Sequence, residues 1–142
     1  FTPADQKFEI GKALKLIEGK DVTIFATGHL VWEAIQAAEA LEAEGISVEL
    51  INIHTIKPLD EKAVIESVTK TGAAVCAEEH LIAGGLGELV SGVLARNCPA
   101  PMEFVSVDDQ FGQSGTPSEL MKLYGLDAES IVKAVKKVIK RK

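Results

Sequence analysis

Short apolar runs alternate with stretches of helical period along this chain. The runs at 22–27, 47–52, 73–77 and 102–107 are brief and rich in β-branched residues, so they read as strands. Those at 22–27 and 73–77 are apolar nearly throughout, the pattern of strands covered on both faces. Between the runs, Val31, Ala34, Ile35, Ala38 and Leu41 share one helical face while Glu33, Glu42 and Glu44 lie off it, and Gly45 stops the helix. Val64, Ile65 and Val68 form a second stripe, opened by Asp60 as N-cap and closed by Gly72. Leu86, Leu89, Val90, Val93 and Leu94 form a third.

Two further helices are predicted at the end. Thr116-Pro117-Ser118-Glu119 is a capping box with proline at the first helical position, and Gly125 ends that short helix. Asp127 is placed to cap the last one, whose stripe is Ile131, Val132, Val135, Val138 and Ile139. Lys133, Lys136, Lys137 and Lys140 cover its other face, which reads as solvated. The terminal Lys140-Arg141-Lys142 run suits the negative end of a helix dipole. The element order predicts a three-layer α/β/α domain on a mostly parallel sheet. The first twenty residues are less regular, and 8–17 can supply an extra edge strand before a turn at 18–21.

With 142 residues the chain is expected to be a single domain, 1–142, and a chain of that size buries roughly 68–70% of its unfolded surface without disulfides. Its 46% hydrophobic and 25% charged content argues against disorder. A net charge of −6 argues against a nucleic-acid partner, and no apolar run approaches the ~20 residues that span a bilayer. Cys76 and Cys98 lack motif spacing and read as buried thiols of a reducing compartment, so a cytoplasmic location is expected. The chain begins at Phe1 rather than Met, as expected of a piece of something longer.

Candidate chemistry gathers where strands give way to helices. Gly84-Gly85-Leu86-Gly87 could cradle a phosphate at a helix N-terminus, or could be a tight turn that lets a helix dock closely. Val90 stands where the dinucleotide fingerprint needs Gly or Ala, and no Gly-Lys-Ser/Thr is present for a P-loop. Glu78-Glu79-His80 follows the third run, and His29 and His54 also fall at strand ends, so the three histidines can share one rim. No second His or Cys stands at ligand spacing. Asp108-Asp109 resembles an acidic magnesium pocket, but a phosphoacceptor domain places its acidic pair after the first strand, which here reads Thr27-Gly28-His29; Cys76 lacks an activating base, and no Gly-x-Ser-x-Gly elbow occurs. Without a nucleophile pair, metal cluster or phosphate loop, the residues point to a binding or assembly domain. A self-contained anion-binding module at Gly28 and Gly84-Gly85, or an enzyme using Glu79 and His80, are the competing readings.

Five strings, in order, resemble one family. They are Asp21-Val-Thr-Ile-Phe-Ala-Thr-Gly28, Thr55-Ile-Lys-Pro-Leu-Asp60, Ala77-Glu-Glu-His80 with Gly84-Gly-Leu-Gly-Glu88, Phe111-Gly-Gln-Ser-Gly-Thr-Pro-Ser-Glu-Leu120, and Tyr124-Gly-Leu-Asp127. Together they are similar to the C-terminal domain of transketolases, within the thiamin-diphosphate transferase superfamily, over nearly the whole chain from about Ile10. The same domain of 1-deoxyxylulose-5-phosphate synthase or of a 2-oxoacid dehydrogenase β chain is the near alternative. The resemblance implies a five-stranded sheet with one antiparallel edge strand, placing 8–17 as that strand. It implies a cytoplasmic enzyme of the pentose phosphate pathway whose thiamin diphosphate and divalent metal (Mg or Ca) sit on other domains. No Gly-Asp-Gly metal motif is present here, so no catalytic, cofactor-binding or metal-binding residue is assigned, and the isolated chain is expected to be inactive. Its implied partners are the remaining transketolase domains or a separate N-terminal subunit, within a homodimer and with no membrane contact. Gly28, Glu79, His80, Gly84, Gly85 and Ser114 are the interface or anion-contact candidates.

Overall fold

The computed structural model describes residues 7, 9–81, 84–107, 119, 122 and 125–142. The elements run β1 (Leu14–Ile17), β2 (Val22–Ala26), α1 (Leu30–Ala43), β3 (Val48–Asn52), α2 (Glu61–Thr71), β4 (Ala74–Leu81), α3 (Leu86–Asn97), β5 (Met102–Val107) and α4 (Ala128–Ile139). The sheet order is β1-β3-β2-β4-β5. Every neighbouring pair is parallel except β1 with β3, where Leu14 faces Asn52 in an antiparallel register. The irregular N-terminal stretch thus supplies the antiparallel edge strand, over four residues.

Strand parity divides the core into two layers. Val22, Ile24, Ala26, Leu50 and Val75 face α1 and α4, packing against Leu30, Ala34, Leu41, Ile131 and Val135. Phe25, Ile51, Ala74 and Cys76 face α2 and α3, packing against Val64, Val68, Leu86 and Val90. All five residues of β2 are buried, and so are all five of β3. Both faces of the central sheet are therefore covered, as the unbroken apolar run at 22–27 requires.

The predicted caps form as written. Asp60 Oδ1 accepts from Ala63 N at 3.2 Å, and its other oxygen accepts from Ala13 N at 2.8 Å, tying α2 to the approach of β1. Asp127 Oδ1 accepts from Ser130 N at 2.9 Å at the start of α4. The capping box at 116–119 lies outside the described residues.

Two expectations change. The run at 73–77 continues as strand to Leu81, with an irregularity between Ala77 and Leu81, so Glu78, Glu79 and His80 belong to β4 instead of following it. The lysine face of α4 is also more than solvated. Lys136 reaches Glu44 at 2.9 Å and Lys137 reaches Glu103 at 2.7 Å, while Arg141 donates to the Met102 carbonyl and Lys142 to the Asp21 carbonyl. These cations stitch the last helix to α1 and to strand ends, although each exposed pair contributes little.

Candidate functional site

The connections define where a ligand or partner can enter. The β2–α1–β3 crossover lies on one face and β4–α3–β5 on the other, while β2 and β4 are adjacent. This is the topological switch point, whose crevice opens at the carboxyl ends of the strands. Gly28 and His29 stand at the end of β2, and Glu79 and His80 stand beside them near the end of β4. Gly28 has φ +61, with its carbonyl accepting from Val31 N, so it turns the chain directly into α1. His29, Glu79 and His80 are exposed. His54, beyond the end of β3, is half-buried, with its Nδ1 at 3.2 Å from Thr55 Oγ1. The rim therefore carries all three histidines, one at the carboxyl end of each of three adjacent strands. Among the described residues, no group of three or more His, Cys, Asp or Glu side chains is placed to hold a metal ion. Ser114 and Asp108-Asp109 lie outside the described residues.

The glycine turn after β4 is occupied by the protein's own anion. Glu78 follows Cys76 by two residues, so it points to the same face, beneath the start of α3. Its side chain is buried, with Oε1 accepting from Leu86 N at 2.8 Å and Oε2 from Gly87 N at 2.7 Å. These are first-turn donors of α3, which have no partner within the helix. Gly84 N donates to the Glu88 carboxylate one turn on. The amides of Leu86 and Gly87 are thus committed internally, which removes them from any external phosphate.

Close docking explains the third glycine of that turn. A methyl group at Gly87 would stand 2.4 Å from Cδ1 of Phe104 on β5 and 3.5 Å from Cys76 Cβ. Cys76 lies in this same dry layer. Burial pushes its thiol far above the ordinary cysteine range, and the Glu78 charge adds to the effect. At about pH 8, half-buried Cys98 is expected to react with a disulfide thiol reagent while Cys76 reacts only once the chain is unfolded. Two thiols titrating together in the native protein would contradict this placement.

Three carboxylates have structural roles that the sequence did not reveal. Besides Glu78, Glu49 is wholly buried and accepts from Ser67 Oγ at 2.5 Å. Glu33, placed off the buried face of its helix, accepts from Ala128 N at 2.9 Å and so fixes the entry to α4 from α1. A signal did exist for the first two. Each sits at a core-facing parity position of a strand covered on both sides, where a charge must find partners.

This architecture defines the class as an α/β domain built on a five-stranded mixed sheet with one antiparallel edge pair. The model of the transketolase C-terminal domain matches residues 11–131. The chain belongs to that family. It is 48% identical over 138 residues to the 6-deoxy-6-sulfo-D-fructose transketolase subunit SqwH of Clostridium sp. (strain MSTE9), covering 97% of this chain and 43% of that protein. It is 44% identical over 135 residues to a putative transketolase C-terminal section of Methanocaldococcus jannaschii, covering 94% and 42%. Among solved structures it superposes on a split-gene transketolase, described as an inactive beta4 tetramer, with a TM-score of 0.95 and 45% identity over 98% of this chain and 46% of that one. The chain therefore spans less than half the length of these relatives.

Proposed function

We propose that this chain is the C-terminal part of a transketolase of the divided-subunit type, and that it serves as an assembly domain without catalytic groups of its own. The observation that carries this reading is near-full-length similarity to transketolase subunits at 44–48% identity. The full enzyme transfers two-carbon ketol units between sugar phosphates in the cytoplasm, with thiamin diphosphate as the electron sink and a divalent metal holding it. The described residues do not fit that cofactor: the turn best shaped for a phosphate has two of its amides bonded to Glu78, and the acidic side chains are dispersed. On this reading the described residues therefore take no step of the reaction.

Its contribution is a docking surface for the remaining transketolase domains or an N-terminal subunit, and for the second half of a dimer. Trp32, 47% exposed in the first turn of α1, stands beside Gly28 and His29 at the rim. On the opposite face of the sheet, a cleft of about 350 Å³ is lined by Ile56, Pro58, Leu59, Leu89 and Val93, with Glu61, Glu88 and Arg96 among its charged residues. Such apolar surface beside the strand-end loops suits a partner contact. We expect calorimetry on the isolated chain to show no thiamin diphosphate binding, and ketose turnover to appear only with the partner chain. Micromolar cofactor affinity in the isolated chain would refute the assembly role.

A further inference from the structure

Along the β1 edge of the sheet, a cleft of about 380 Å³ opens between β1 and α2, lined by Lys15, Glu49, Glu66, Ser67 and Lys70 among others. That size falls within the range of small-molecule sites. Its floor is Glu49, buried at a core-facing position of β3. The floor carboxylate is held by Ser67 Oγ, which continues a buried chain through Thr23 Oγ1 at 2.7 Å to Thr71 Oγ1 at 2.8 Å. Glu49 draws two ammonium groups from different elements to the cleft mouth. Lys70 of α2 bonds its Oε1, and Lys15 of β1 lies 3.5 Å from the same atom.

A second carboxylate lies across these two cations. Glu18 Oε1 is 3.2 Å from Lys15 Nζ, and Glu18 Oε2 is 3.1 Å from Lys70 Nζ. One oxygen on each ammonium is how a lysine pair holds a free anionic headgroup. The Glu18 side chain is 75% exposed, so water competes for both contacts and the tether is weak. Glu66 is the other acid at the mouth, and it is turned toward Lys62 at 3.9 Å. Hydrogen bonds from Lys70 and then Lys15 hold the Glu18 carboxyl below the usual range, and Glu49 followed by Glu18 holds Lys70 above its own, so Glu18 and Lys70 stay charged near neutral pH.

We propose that this cleft binds a small carboxylate- or phosphate-bearing molecule, with Lys15 and Lys70 as its ligands and Glu18 as the built-in competitor that it displaces. The site is independent of the assembly role, because it lies along the β1 edge and uses none of the rim residues. The test titrates the full chain with inorganic phosphate in one arm and malonate in the other, followed by thermal shift and amide chemical shifts. A saturable response in either arm is expected, and the responding arm identifies the headgroup. Glu18→Gln should tighten it by about threefold or more, while Lys15→Met and Lys70→Met should each weaken it by about tenfold. Lys15→Met is the more diagnostic lysine change, since its ammonium is the more distant from Glu49. No saturation by either probe, even in Glu18→Gln, overturns the proposal. So does a response that the lysine substitutions leave unchanged, or one that Glu18→Gln fails to strengthen.

Discussion

Glu78→Ala is expected to destabilise the fold by about 3–5 kcal/mol in urea denaturation, because two buried amide donors at roughly 1–3 kcal/mol each lose their acceptor and a void opens beneath α3. Both donors, on Leu86 and Gly87, belong to buried residues. Water reaches them poorly, since Leu86 is packed in the layer with Phe25, Cys76 and Val90. Glu78→Gln tests the charge separately from the shape. It keeps the volume and one acceptor oxygen but turns an amide donor toward the second N–H, so roughly half the loss should remain. The neighbouring Glu79→Ala is the control, because Glu79 is exposed on the opposite parity of β4 and should change stability by less than about 0.5 kcal/mol. If Glu78→Ala cost less than about 1 kcal/mol, the view that this carboxylate fills the helix terminus would fail.

Gly19→Ala should cost about 3 kcal/mol, the upper end for forcing volume into a packed site. The added methyl would lie 2.1 Å from the Val48 carbonyl carbon and 2.3 Å from Glu49 N. Both atoms are backbone of β3, so no side-chain rotation relieves the contact. The turn between β1 and β2 would have to lift off the sheet, loosening the Gly19 N–H contact with Glu49 at 3.4 Å. Gly28→Ala offers the comparison. A methyl there meets nothing within 4 Å, and only its φ of +61 opposes the change, at about 1–2 kcal/mol. Chemical denaturation of the two variants side by side decides the point; equal losses would mean that conformational freedom, not the approach of β3, makes Gly19 necessary.

Much of this molecule was written locally. Hydrophobic period located the central strands and the helices among the described residues, because a strand covered on both faces and a helix covered on one obey different repeats. Asp60 and Asp127 were legible as caps because a cap acts within three residues of itself. The family was legible because its marks are contiguous strings such as Ala77-Glu-Glu-His80. Gly28, Gly84 and Gly85 were legible as turn positions between strands and helices, whereas Glu79 and His80, expected to follow the strand, belong to β4.

The sequence could not state what those rim positions contact, because the partner of a buried polar group is set by folding. Glu78 and Glu79 are adjacent and chemically identical, yet one closes a helix terminus and the other faces solvent; only the parity of β4 and its continuation to Leu81 separate them. Gly19 and Gly28 both read as turn glycines, and only the path of β3 distinguishes a clash from open space. Glu18, Lys15, Glu49 and Lys70 are scattered over more than fifty residues and meet because α2 lies across the sheet edge where β1 pairs with β3. Thus the amino-acid order by itself determined the elements, their caps and the family, through short-range period and contiguous motifs. Tertiary structure alone decided which charges are buried, which amides are taken and where cations converge, because those depend on contacts between segments far apart in the chain.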